Sequence, residues 1–133
     1  MVQVSLEARE VILAHCFEEY PLEACGMLIG SDNRVLGCYP THNLAGSARV
    51  FIADPQDVAA AHQRAESEGH RLIGVYHSHT NSEAFPSRTD VRQAPDSSWI
   101  YVIVSLARPL LEMRAFTISS GLVNELALTG LED

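Results

Sequence analysis

The sequence predicts an α/β fold, a mixed β-sheet with flanking helices. Two helical stretches lead into strand-like runs, one ahead of a hairpin and one ahead of a central apolar strand, and three short apolar runs close the chain. At 133 residues and 47% hydrophobic, the chain is long enough for one sizeable core. With no linker, repeat or low-complexity tract, the expectation is a single domain spanning residues 1–133.

The elements follow in order. Leu6, Ile12, Leu13, Cys16, Phe17 and Tyr20 fall on one side of a helical wheel, with Glu7, Glu10 and Glu18 on the other. Ser5 is available as N-cap and Pro21 as terminator, so a helix is expected from Leu6 to Glu19. Its apolar side is a plausible surface for a homodimer. Ala24 to Ile29 and Val35 to Tyr39 read as a β-hairpin joined by Gly30-Ser31-Asp32-Asn33. A polar loop with Asn43 and Gly46 then leads to a short strand, Val50 to Ala53. Asp54-Pro55 supplies an N-cap followed by proline at the first helical position, and the second helix should run to Glu68, with Gly69 just beyond its end. Leu72 to Tyr76 is a buried strand. Ser87 and Asp90 have the S-x-x-D form of a capping box opening a short helix. Trp99 to Ser105, Leu111 to Ile118 and Leu122 to Leu128 are closing strands, the last two joined by Ser119-Ser120-Gly121.

Composition excludes several function classes. All nine basic residues are arginine, so no Schiff-base, P-loop or pyridoxal-anchoring lysine exists. A formal charge of −8 argues against binding nucleic acid or an anionic membrane surface. The three cysteines form no C-x-x-C pair and the N-terminus lacks a secretory pattern, which points to a reduced, cytoplasmic protein. The longest apolar runs fall short of the roughly 20 residues a membrane helix needs.

Chemistry concentrates between residues 77 and 90. His77 and His79, two apart at a strand end, project from one face, close enough for both imidazoles to reach one ion. Asp90 adds a hard oxygen once the loop folds back, and three protein ligands leave a fourth position for water, the mark of a catalytic zinc site. A closed structural site would need a fourth ligand, for which Cys25 is the candidate. Taken singly, the histidines read as polar strand-end residues and Ser87 and Asp90 as a helix cap; taken together they form a constrained pattern that capping does not explain.

His77-Ser78-His79, Ser87 and Asp90 reproduce the H-[ST]-H-x7-S-x2-D motif, and the chain thereby resembles the JAMM (JAB/MPN+) metalloproteases. Glu23, within the segment Pro21 to Gly30, resembles that family's upstream glutamate. Tyr76 to Val91 is similar to the small bacterial members that act on sulfur-carrier proteins, among them cysteine-releasing and siderophore-pathway peptidases. The resemblance implies a minimal JAB/MPN domain with cytidine-deaminase-like layering. It implies one Zn2+ per chain on His77, His79 and Asp90, Glu23 as general acid/base, and Ser87 stabilising the tetrahedral intermediate. Ser78 would orient the site by a hydrogen bond from the opposite face, while Glu83 and Arg88 would flank it and touch substrate. The implied partner is a small ubiquitin-like sulfur carrier ending in Gly-Gly, trimmed of cysteine or a short peptide. Other readings are an isopeptidase that removes ubiquitin-like modifiers and a non-catalytic MPN scaffold. A zinc nucleoside deaminase is a further one, although its H-x-E and P-C-x-x-C signature is missing.

Overall fold

The computed structural model describes residues 1–94, 96–107 and 112–130. Eleven elements follow one another: β1 (Val2–Val4), α1 (Leu6–Glu19), β2 (Cys25–Ser31), β3 (Arg34–Thr41), α2 (Pro55–Ser67), β4 (Arg71–His79), α3 (Arg88–Gln93), β5 (Ile100–Ser105), β6 (Glu112–Ser119), β7 (Leu122–Leu126) and β8 (Leu128–Gly130). Among the described residues no helix is long and apolar enough to cross a membrane.

The helix boundaries follow from their caps. Ser5 Oγ accepts the Ala8 N–H and opens α1, and Asp54 accepts the Gln56 N–H ahead of Pro55 in α2. Gly69 takes a φ of +74°, a left-handed conformation that costs least without a Cβ. Ser87 and Asp90 form the reciprocal capping box that starts α3.

All eight strands join one mixed sheet in the order β7-β6-β5-β4-β2-β3-β1-β8. β7 and β8 lie at opposite ends of that order, yet only Ala127 separates them in the chain. The sheet therefore curls until the chain itself joins its two edges, and the Ala127 carbonyl accepts the Val2 N–H at 2.7 Å. Side chains alternate between the two faces. Along β5, Ile100, Val102 and Val104 enter the core that also holds Ala8, Ile12 and Cys16 of α1. Tyr101 and Ile103 enter a second core with Ala61 and Ala65 of α2.

Three expectations change. The wheel turned the largest apolar side chains of α1 inward, but the helix buries Ala8, Ile12 and Cys16 and leaves Leu6, Phe17 and Tyr20 exposed at 69%, 60% and 54%. Small residues let α1 lie close to the sheet, where the Cys38 thiol donates to the Ala8 carbonyl. Val50 to Ala53 is not a strand, because Asn43 intercepts its backbone: its side chain donates to the Val50 carbonyl and accepts the Ile52 N–H, leaving a single bridge between Asn43 and Ala53. The last strand divides at Ala127 because its halves pair with different partners, β6 and β1. Leu111, the expected start of β6, lies outside the described residues.

Candidate metal centre and active site

β4 is hydrogen-bonded to β5 in parallel and to β2 in antiparallel register, and its carboxyl end carries the histidines. His77 and His79 share the face that packs against α2 and α3, whereas Ser78 points to the opposite side. Opposite them, Cys25 pairs with His77, and the Ala24 carbonyl accepts the Ser78 N–H, which continues the register and sets Glu23 beside His79. Ser78 Oγ accepts the Ala24 N–H at 2.9 Å, a buried bond that ties the Glu23 segment to the histidine strand.

Three donor atoms converge. His77 Nε2 lies 3.1 Å from His79 Nε2 and 3.1 Å from Asp90 Oδ2, and His79 Nε2 lies 3.0 Å from the same oxygen. Ligands about 2.0–2.1 Å from a tetrahedral zinc ion stand about 3.3 Å apart, so a shift of a few tenths of an ångström accommodates one ion. The hydrogen bonding makes the case stronger. His79 Nδ1–H donates to the Glu83 carbonyl at 2.8 Å, which leaves Nε2 of the neutral ring as a lone pair facing a carboxylate oxygen. Two acceptors at 3.0 Å require a positive charge between them or a proton on the ring. His77 Nδ1 is buried with no partner among the described residues. Its ring stacks on Phe51, centroids 4.5 Å apart, which holds its plane.

The titration behaviour agrees with this reading. Burial pulls His77 down, opposed by its bond to Asp90. Burial also pulls on His79, but the Asp90 hydrogen bond, the Glu83 carbonyl and the Asp90 charge push it up overall. Burial would raise Asp90, yet the hydrogen bonds from His77 and His79 outweigh it and hold the carboxyl well below the usual range. Asp90 thus stays ionised and calls for a compensating positive charge, an ion or a proton on His79.

Asp90 Oδ2 also accepts the Ser87 N–H at 2.9 Å, while Ser87 Oγ accepts the Asp90 N–H at 3.0 Å. The Ser87 hydroxyl therefore keeps its own proton to donate into the cleft. That cleft, about 260 Å³, is lined by Glu23, His79, Thr80, Asn81 and Ser87, with Arg49 on its wall. Glu23 is only 3% exposed and its Oε1 has no partner among the described residues, so burial, with His79 opposing and Asp90 adding, pushes the carboxyl up to about 7. On the other side of His77 and Asp90 lies an apolar cavity of about 420 Å³ floored by Met27, Val75 and Ile103. Arg88 and Arg92 line a third groove beyond Ser87.

His77, His79, Asp90, Glu23 and Ser87 thus meet at one place. Glu83 contributes its carbonyl, and Arg88 stands outside the Glu23 cleft. Cys25 Sγ turns to Thr41 Oγ1 at 3.1 Å and is not one of the converging donors. The sequence reading did not place Phe51, Asn43 or Arg49 at the site, since no local pattern ties residues 43–51 to the histidines; Asn43 donates to the Glu23 carbonyl at 3.0 Å.

Residues 5–119 match the family described as prokaryotic homologs of the JAB domain. The chain belongs to that family. Among its relatives, the desampylase of Haloferax volcanii is 36% identical over 111 residues, covering 78% of this chain and 80% of that protein. The CysO-cysteine peptidase of Mycobacterium tuberculosis is 34% identical over 117 residues, covering 86% and 80%. A solution structure of a Desulfitobacterium hafniense protein superimposes with a TM-score of 0.91 at 33% identity, over 100% of this chain and 94% of that one. This JAB-domain protein is a hydrolase.

Proposed function

We propose that the protein is a zinc-dependent peptidase that hydrolyses the amide bond following the C-terminal Gly-Gly of a small ubiquitin-like or sulfur-carrier protein, releasing cysteine or a short peptide. The observation that carries the chemistry is the convergence of His77 Nε2, His79 Nε2 and Asp90 Oδ2 within 3.1 Å, beside a buried Glu23 carboxyl. The names of the relatives, a desampylase and a CysO-cysteine peptidase, support the substrate class.

In this reading His77, His79 and Asp90 hold the ion. When bound, zinc supplies Lewis acidity that lowers the pKa of water towards neutrality and polarises a carbonyl. Glu23 takes a proton from the attacking water and returns it to the leaving nitrogen. A carboxyl displaced towards 7 by burial can serve both steps near neutral pH. The water oxygen bonds to the carbonyl carbon, the C–N bond breaks, and the carrier leaves with a free Gly-Gly carboxylate. The Ser87 hydroxyl, aimed by its capping bond, donates to the oxygen on which negative charge develops. A tail entering as an extended strand brings glycines that have no side chain to clash beside the histidines.

A second reading, an isopeptidase acting on modifier–protein conjugates, uses the same chemistry and is favoured by the desampylase relative. The homodimer expected from α1 stays a proposal, with Leu6, Phe17 and Tyr20 as the surface it would use and sedimentation as its test. The deciding experiment incubates the protein with Gly-Gly-ended carriers extended by cysteine or by longer peptides and reads masses with and without a zinc chelator. Chelator-sensitive trimming is the expected result; its absence with every carrier overturns the peptidase reading.

A further inference from the structure

Unlike Arg64 and Arg114, which are paired, Arg49 shares with several other arginines the lack of any carboxylate within ion-pair distance among the described residues. It is also the one cation among the described residues that lines the Glu23 cleft, whose other walls, Glu23 and His79 apart, are uncharged.

Its backbone is anchored to the reacting groups from two sides. The Ser47 carbonyl accepts the Glu23 N–H at 2.9 Å, and Ser47 Oγ accepts the Arg49 N–H at 3.0 Å. Thr80 Oγ1, next in sequence to His79, donates to the Ala48 carbonyl at 3.1 Å. Arg49 is therefore held in fixed relation to both Glu23 and His79, yet its guanidinium is committed to neither.

The leaving amine must be close to Glu23, because Glu23 protonates it. In an α-amino acid a single carbon separates that amine from the carboxylate, so whatever grips the carboxylate must share the cleft with Glu23. From this we infer that Arg49 is the carboxylate reader of the leaving group, and that the preferred product is one amino acid with a free α-carboxylate. This rests on the peptidase reading above and narrows it. At about 260 Å³ the cleft is below the roughly 300–1,000 Å³ typical of drug-sized sites, which suits a single residue. An isopeptide-linked lysine presents four methylenes where the carboxylate would be and leaves Arg49 without a partner. Guanidinium is suited to the task, since its forked donors match a carboxylate in two parallel bonds.

The test compares three ends on the same Gly-Gly carrier: cysteine as the free acid, cysteine as the carboxamide, and a lysine joined through its side chain. Wild-type protein should cleave the acid about 10- to 100-fold better than the amide, the range of a charge-assisted bond pair, with the difference in KM. Arg49→Gln should lower the acid to the level of the amide, and Arg49→Lys should restore part of the preference, a pattern that loss of folding does not produce. As a readout without turnover, N-acetylglycyl-cysteine should bind metal-loaded Glu23→Gln protein more tightly than its carboxamide. Equal cleavage of acid and amide by wild type, or a preference that survives in Arg49→Gln, overturns the assignment and leaves the peptidase reading standing. Chelator-insensitive silence on all three ends overturns both.

Discussion

Replacing Glu23 by glutamine should inactivate the protein and, in the metal-free state, stabilise it. The residue is 3% exposed, one carboxyl oxygen has no partner among the described residues, and burial lifts its pKa from 4.5 to about 7. Because the folded pKa lies above the unfolded one, the contribution of this group is fully present below pH 4.5 and is lost as pH rises through 7. At 1.36 kcal/mol per unit the whole shift corresponds to roughly 3 kcal/mol. The side chain faces a solvent-filled cleft, and screening there reduces the figure to about 1–2 kcal/mol. Glutamine has nothing to ionise. Chelator-treated Glu23→Gln should therefore exceed wild type by about 1–2 kcal/mol at pH 8, a rise of a few degrees in Tm, and the gap should close on acidification towards pH 4.5. Peptidase activity of the metal-loaded variant should fall about 10²- to 10⁴-fold. Urea unfolding from pH 5 to 8 with chelator, alongside a cleavage assay, reads both. Parallel pH curves for the two proteins would refute the burial argument, and a Glu23→Gln protein that cleaves at the wild-type rate would refute the acid/base role.

Asp90→Asn keeps an oxygen to accept the Ser87 N–H but loses the charge that faces both imidazoles, so bound zinc measured by elemental analysis should drop while α3 stays capped; Asp90→Ala should lose both, with about 1 kcal/mol of additional destabilisation. Ser87→Ala should lower kcat by about 10²-fold at unchanged zinc content, and Ser87→Thr should recover most of it, since threonine keeps the hydroxyl and the cap. Gly74→Ala would drive a Cβ into the Ile100 carbonyl oxygen, a backbone atom in the paired strand β5; a loss of at least about 2 kcal/mol in urea unfolding is expected, and a wild-type midpoint would refute the clash.

Local signals made most of the elements legible. Ser5, Asp54-Pro55, Gly69 and the Ser87–Asp90 box each act within one turn of helix, so the bounds of α1 were read without error and those of α2 to within one residue. Tertiary choices were not legible. α1 carries large apolar residues on more than one face, and nothing in its own sequence says that the sheet takes the face with Ala8 and Cys16. β1 and β8 are three residues each and exist because each pairs with a strand remote in sequence. The site divides the same way. The histidines, Ser87 and Asp90 lie within fourteen residues and show themselves by spacing, whereas Glu23 is separated from them by the whole of β3 and α2. Only the antiparallel register that pairs Cys25 with His77 carries Glu23 to His79, and no periodicity encodes that register.

The reach of one oxygen explains why the motif has the form it does. Asp90 Oδ2 accepts the Ser87 N–H at 2.9 Å and lies 3.1 and 3.0 Å from the two imidazole nitrogens. Accepting from the N-cap N–H requires a carboxylate at the third helical position, which fixes the interval from Ser87 to Asp90 at three residues. Bringing two imidazoles to that one oxygen requires the strand to present them on one side, which fixes the interval from His77 to His79 at two. The loop between the two elements must then bring Glu83 back so that its carbonyl can hold His79 Nδ1–H. Each constraint is an ordinary rule of helix, strand or turn, and the helix cap that holds Asp90 in place is the same hydrogen bond that keeps its Oδ2 facing the two imidazoles. A residue set that looks like two unrelated structural devices when taken apart is therefore a single preorganised site, whose donors the fold has already positioned before any ion binds.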